Sequence, residues 1–115
     1  MSPKPTISFA DFAKVDLRVG TVIRAEPFPE ARKPAIKLWI NFGDDLGELK
    51  TSAQITDHYT PERLMGRQVI GVVNFEPKQI GSFMSECLII GAIDARAAVT
   101  LLAPDSSVED GLCIA

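Results

Sequence analysis

Cysteine, histidine and long apolar runs are all scarce in this 115-residue chain. The two cysteines, Cys87 and Cys113, form no CxxC and have no histidine beside them. Neither a disulfide framework nor a zinc site is therefore expected. The single histidine, His58, stands between Asp57 and Tyr59, far in sequence from either thiol. It reads as a surface or packing residue rather than a base or ligand. No apolar stretch approaches the roughly 20 residues that cross a bilayer, so no membrane insertion is expected. The opening Met1-Ser2-Pro3-Lys4-Pro5 has two prolines and no apolar segment, unlike a signal peptide. A reducing cytoplasm is the expected compartment. Glycine signatures that cradle phosphates, GxGxxG and GxxxxGK[ST], do not occur. Asp44 and Asp45 lie in a glycine-flanked turn, where acids usually serve the turn. These absences predict a non-enzyme with no cofactor and no metal.

What is present suits one soluble domain. Hydrophobic residues make up 46% and charged residues 23%. That is ordinary for a globular protein and excludes a disordered or collagen-like chain. The net charge of −3 hides an asymmetry. Residues 1–40 carry seven basic and four acidic side chains, whereas residues 41–115 carry five and eleven. A local basic surface on an acidic protein follows, with binding that fades in salt. Residues 8–115 are assigned to a single domain and residues 1–7 to a flexible N-terminus.

Periodicity predicts mostly strands. Residues 15–26 alternate, with Val15, Leu17, Val19, Thr21, Ile23 and Ala25 assigned to the core face. Asp16, Arg18, Gly20, Val22, Arg24 and Glu26 fall on the opposite face. Before this strand, Ser8 and Asp11 match a capping box for a helical turn at 9–13. Prolines bracket a loop over 27–34. A second strand places Ile36, Leu38, Ile40 and Phe42 opposite Lys37, Trp39 and Asn41, and a third runs about 48–55. Thr60-Pro61 through Gly66 reads as a short helix. A fourth strand is expected at about 67–75 and a fifth at about 84–92, with extended pieces near 98–102 and 112–114. Three strands, a short helix and two more strands match an all-β, five-stranded Greek-key barrel of the OB type, with short terminal extensions. A generic small barrel or sandwich is the alternative.

Two stretches carry binding chemistry. Lys37, Trp39 and Asn41 share one face of strand 2, Arg32 and Lys33 feed it, and Lys50 and Gln54 share the matching face of strand 3. Cations beside an aromatic platform suit nucleic acid, the cations meeting phosphates and the ring stacking on a base. The same pattern also suits a solvated face whose Trp39 packs under a loop or into a dimer interface. The second stretch, residues 74–86, sets Phe75, Ile80, Phe83 and Met84 in a polar loop. Such residues either tuck into a core, the favoured reading, or mark a sticky surface for peptides.

Lys14-Val15-Asp16-Leu17-Arg18-Val19-Gly20-Thr21-Val22 resembles the opening of the EMAP-II-like tRNA-binding domain family. Asn74-Phe75-Glu76-Pro77-Lys78 and Ser85-Glu86 fall where that family has its Asn-x-x-Pro-Lys and Ser-Glu elements. Residues 29–38, 52–56 and 74–86 further resemble the small bacterial members assigned as secretion-related chaperones. Ile80 before Gly81, and Cys87-Leu88 after Ser85-Glu86, depart from the usual tRNA-binding pattern and fit that chaperone branch. The resemblance covers about residues 8–115. It implies an OB-fold, no catalysis, and a homodimer to which the chain termini contribute. It also implies two partners, tRNA and unfolded or precursor polypeptides. The implied tRNA-binding residues are Arg32, Lys33, Lys37, Lys50, Asn74, Lys78 and Ser85. Glu86, which repels phosphate, is assigned a structural role in holding its loop. The implied peptide-binding residues are Trp39, Phe75, Ile80, Phe83 and Met84.

Overall fold

The computed structural model describes residues 1–115. A helical turn, α1 (Phe9–Ala13), precedes three strands, β1 (Leu17–Pro27), β2 (Ile36–Asn41) and β3 (Glu48–Ala53). A four-residue helix, α2 (Pro61–Leu64), leads to β4 (Gln68–Val72). Five short strands follow: β5 (Lys78–Ile80), β6 (Phe83–Ser85), β7 (Leu88–Ile89), β8 (Gly91–Ile93) and β9 (Val99–Leu101). The main sheet is antiparallel in the order β3-β2-β1-β4-β7. It curls until β7 approaches β3, which gives the expected five-stranded, nearly closed barrel.

Local chemistry explains both helices. Ser8 accepts from the Asp11 amide and Asp11 accepts from the Ser8 amide, each at 3.3 Å, so the capping box forms. Thr60 caps α2, Pro61 occupies its first turn, and Gly66 follows its end with φ of +79°, where a side chain would be strained.

Strand β2 keeps the expected alternation. Ile36, Leu38, Ile40 and Phe42 are buried, and Lys37 and Trp39 face outward. Strand β1 does not. Val22 pairs with Ile40 but Arg24 pairs with Trp39, so Ile23 is an extra residue in a bulge. Before the bulge, the barrel-facing residues are Gly20 and Val22. They belong to the face assigned to solvent. Of the residues assigned to the core face, Val19 is buried and Ile23 is exposed. After the bulge Ala25 packs on the core and Arg24 and Glu26 point outward.

Gly20 faces inward because there is no room for more. A Cβ there would lie 2.6 Å from Ile40 Cγ2 and 2.7 Å from the Phe42 ring. Gly71 on β4 approaches the same ring, its Cβ position 2.8 Å from Phe42 Cζ. The fully buried Phe42 therefore fills the space that two glycines leave on neighbouring strands. Val22, Leu38, Ile40, Leu64, Val69 and Ile89 complete most of the core around it.

The expected continuous strand over 84–92 is broken into three. β6 turns back on β5 as a hairpin, β7 pairs with β4, and β8 pairs with β9. The segment read as a loop before Phe83 is thus half of that hairpin, with Gly81 at its turn. Near the end of the chain, the Val19 amide donates to Leu112 and the Ile114 amide donates to Leu17, so the expected extended piece lies along β1.

Candidate nucleic-acid interface

The barrel closes through side chains as well as backbone. The Glu86 amide donates to the Lys50 carbonyl at 2.7 Å, and the Lys50 amide donates to Glu86 Oε1 at 3.0 Å. Glu86 thereby stands in for a strand partner, in line with its expected structural role. Thr51, 1% exposed, donates to the Cys87 carbonyl at 2.7 Å and shares a 2.9 Å hydrogen bond with Ser85 Oγ. Ser85 is thus tied to the seam between β3 and β6–β7. Burial, with Glu86 beside it, pushes the Cys87 thiol up to about 12.

The seam sets the β5–β6 hairpin over the outer face of β2 and β3. There Phe83 is buried with Phe28 and Ala35, and Trp39 and Ile80 pack against them. The Phe83 ring lies 5.6 Å from that of Phe28 and meets the Trp39 ring edge-on at 6.0 Å. Cations line this aromatic group. Lys37 Nζ is 4.7 Å from the Phe28 ring centre and 5.2 Å from that of Phe83. Lys50 Nζ is 5.1 Å from Phe83, and the Arg24 guanidinium lies 4.3 Å over Trp39. Strand register aligns Arg24, Trp39 and Lys50 in one row and Glu26, Lys37 and Ser52 in the next.

The ion pairs of the chain are Lys14–Asp11, Arg18–Asp16 and Arg24–Glu26. Arg32, Lys33, Lys37, Lys50 and Lys78 therefore face no carboxylate within pairing distance. Arg32 and Lys33 are exposed in the loop that enters β2. Lys78 sits directly opposite Ser85 in the hairpin. Asn74 is elsewhere: its amide accepts from the Asp16 amide at 3.0 Å and donates to the Lys14 carbonyl at 2.8 Å, tying α1 to β4.

The apolar candidates divide. Trp39, Ile80 and Phe83 form the group just described, and Met84 is exposed on β6. Phe75 lines a separate cavity of about 470 Å³ with Lys78, Ser85, Cys87 and Leu88. Sequence reasoning missed a second cavity of about 470 Å³, where Ala53 and Ile55 face Leu88, Ile90, Ile93 and Val99 across the barrel seam. No periodic signal marks it, because its lining comes from segments far apart in the chain, around β3, β7, β8 and β9. It also missed Arg24, which was legible as a cation on the outward face of β1.

The fold and this face define an OB-type binding domain with a cationic, aromatic outer sheet. A model of the putative tRNA-binding domain matches residues 17–112. The chain belongs to that family. It is 37% identical over 105 residues to a methionine–tRNA ligase of Porphyromonas gingivalis, covering 91% of this chain. It is 40% identical over 114 residues to methionine–tRNA ligase 1 of Sorangium cellulosum, covering 97% of this chain. It spans only 15% of the length of each ligase. The chaperone CsaA of Bacillus anthracis superimposes with a TM-score of 0.92 at 47% identity, covering 96% of this chain and all of that one. CsaA of Picrophilus torridus does so with 0.89 at 48%, with the same coverage. The chain is thus similar over nearly its whole length to two CsaA chaperone structures.

Proposed function

We propose that this chain is a non-catalytic, homodimeric chaperone of the CsaA type that binds tRNA and also unfolded or precursor polypeptides. The observation that carries the RNA half is the grouping of Lys37, Lys50, Arg32 and Lys33 on and beside one sheet face, none with a carboxylate partner. A chain of net charge −3 has enough acids to neutralise them. It leaves this face to an external anion instead.

The polypeptide half is supported by the likeness to CsaA and by the apolar seam cavity. The dimer is supported by exposed apolar residues at both ends of the chain. Helix α1 buries none of its residues, so Phe9 and Phe12 stay uncovered. Leu112 and Ile114, on the segment along β1, are exposed as well.

The test is a titration of fluorescent tRNA at several salt concentrations, with duplex DNA of equal length as control. Binding that prefers tRNA and falls steeply with salt is expected. Lys33→Ala and Lys37→Ala should each lower the salt slope by about one unit. Unchanged slopes would remove those residues from the site. For the polypeptide half, a stoichiometric amount should suppress aggregation of an unfolded client. If several-fold excess leaves aggregation unchanged while tRNA still binds, the chain is a tRNA-binding protein without chaperone activity.

A further inference from the structure

We infer that Arg24 and Trp39 form a stacking site for one unpaired RNA base, with Arg24 as a displaceable cover and Glu26 as its latch. The inference rests on the RNA-binding reading and specifies which part of an RNA this face takes. It assigns Trp39 to RNA and not to peptide.

Trp39 is half-buried, its ring meeting Phe83 edge-on, and Arg24 lies over it at 4.3 Å. Arg24 itself is loosely held. Its side chain is 61% exposed, and Glu26 accepts from its Nη2 at 2.8 Å and from its Nε at 3.2 Å. A cation over a ring and an ion pair are both weak at so exposed a position. A nucleobase has a larger planar surface and can take the guanidinium's place on the indole. The displaced Arg24 then needs an anion, and the phosphate of the incoming nucleotide supplies one. Lys50 stands next to Trp39 on β3, and Lys37 one row away, so two more cations flank the same slot.

Charge decides between an RNA strand and a peptide here. Arg24 lies over the ring, Lys50 and Lys37 hold neighbouring register positions, and Glu26 is the one carboxylate in these two rows. Duplex RNA cannot use the slot, because its bases are already stacked and paired. The occupant is therefore a single-stranded segment, such as a loop or an end.

Trp39 is the only tryptophan, so its emission reports the site alone. A single-stranded RNA hexamer should quench it at low salt, while a duplex with the same number of phosphates should not. Binding of labelled tRNA is followed in parallel. Trp39→Ala should weaken hexamer binding roughly 5- to 150-fold, the range for losing one base–aromatic stack. Arg24→Gln, at an exposed position with little folding risk, should lower the hexamer's salt slope by about 0.7. Glu26→Gln should tighten hexamer binding. If tRNA binds but Trp39 emission is unmoved and Arg24→Gln keeps the parent's slope, the stacking site is wrong and the RNA reading stands. Equal quenching by hexamer and duplex also overturns it, as does quenching by an extended uncharged peptide but not by the hexamer. If neither tRNA nor hexamer binds, both readings fall.

Discussion

Replacing Thr51 by valine should loosen the barrel at its seam without changing the volume of the core. Thr51 is 1% exposed, and its hydroxyl reaches the Cys87 carbonyl at 2.7 Å and Ser85 Oγ at 2.9 Å. Valine has nearly the same shape, so no cavity opens, but the buried Cys87 carbonyl and the half-buried Ser85 hydroxyl each lose a hydrogen bond. A typical net contribution of ~1 kcal/mol per bond gives a destabilisation of about 2 kcal/mol. For a domain of this size that corresponds to a fall in melting temperature of about 8 °C. Urea unfolding should show a lower midpoint with an unchanged slope, since the surface exposed on unfolding is the same. Thr51→Ser keeps the hydroxyl and loses one methyl, so it should cost only about 1 kcal/mol. The functional consequence follows from what the seam carries. Ser85 and Glu86 leave the seam directly into the β5–β6 hairpin, which brings Phe83 between Lys37 and Lys50. Thr51→Val should therefore also weaken tRNA binding at temperatures where the chain is fully folded. A valine variant within about 0.5 kcal/mol of the parent, or a serine variant costlier than valine, would refute the assignment of the hydroxyl as the fastening.

Alkaline stability should depend on Cys87. Its thiol stays protonated to about 12 when folded, against an ordinary 9.0, so the unfolded chain sheds this proton first. Stability should fall by up to about 1.4 kcal/mol per pH unit between about pH 9 and 12 and be insensitive to this group below pH 8. Cys87→Ala should flatten that part of a denaturation-versus-pH profile. Gly20→Ala and Gly71→Ala should each cost about 1–3 kcal/mol in urea unfolding, because each added methyl meets the buried Phe42 ring. Phe42→Leu in the same chain should recover part of that loss, and a purely additive double mutant would refute the contact. Asn74→Ala should free α1 from β4, raising amide exchange over residues 9–16 while exchange in β2 stays slow.

Much of the barrel was legible in the order of residues. Strand β2 shows an uninterrupted period of two, and its buried and outward residues alternate as the pattern requires. Both helices carry their own capping residues, whose effect depends only on neighbours three positions away. The cationic character of the outer sheet followed from the same alternation, because Lys37, Trp39 and Lys50 lie on strands whose faces were assigned correctly. Strand β1 misled for a definite reason. Its interior residues include Gly20, which has no side chain to register as apolar, and the bulge at Ile23 shifts the face halfway along. A bulge leaves no mark in hydrophobic periodicity beyond an apparent continuation of it.

The amino-acid sequence thus determined the elements and the chemistry each strand can present, since capping and alternation act over a few residues. Tertiary structure alone decided which of those residues meet. The contacts of Glu86 with Lys50, Thr51 with Ser85, and Asn74 with Lys14 join positions 34 to 60 residues apart. The first two depend on the curvature that brings β7 to β3 and on the hairpin that breaks the expected fifth strand, and the third on the pairing of β1 with β4. Lys37 and Lys50 become a fixed pair around Phe83 only once that hairpin folds over them. Arg24 comes to lie over Trp39 because the bulge turns it outward.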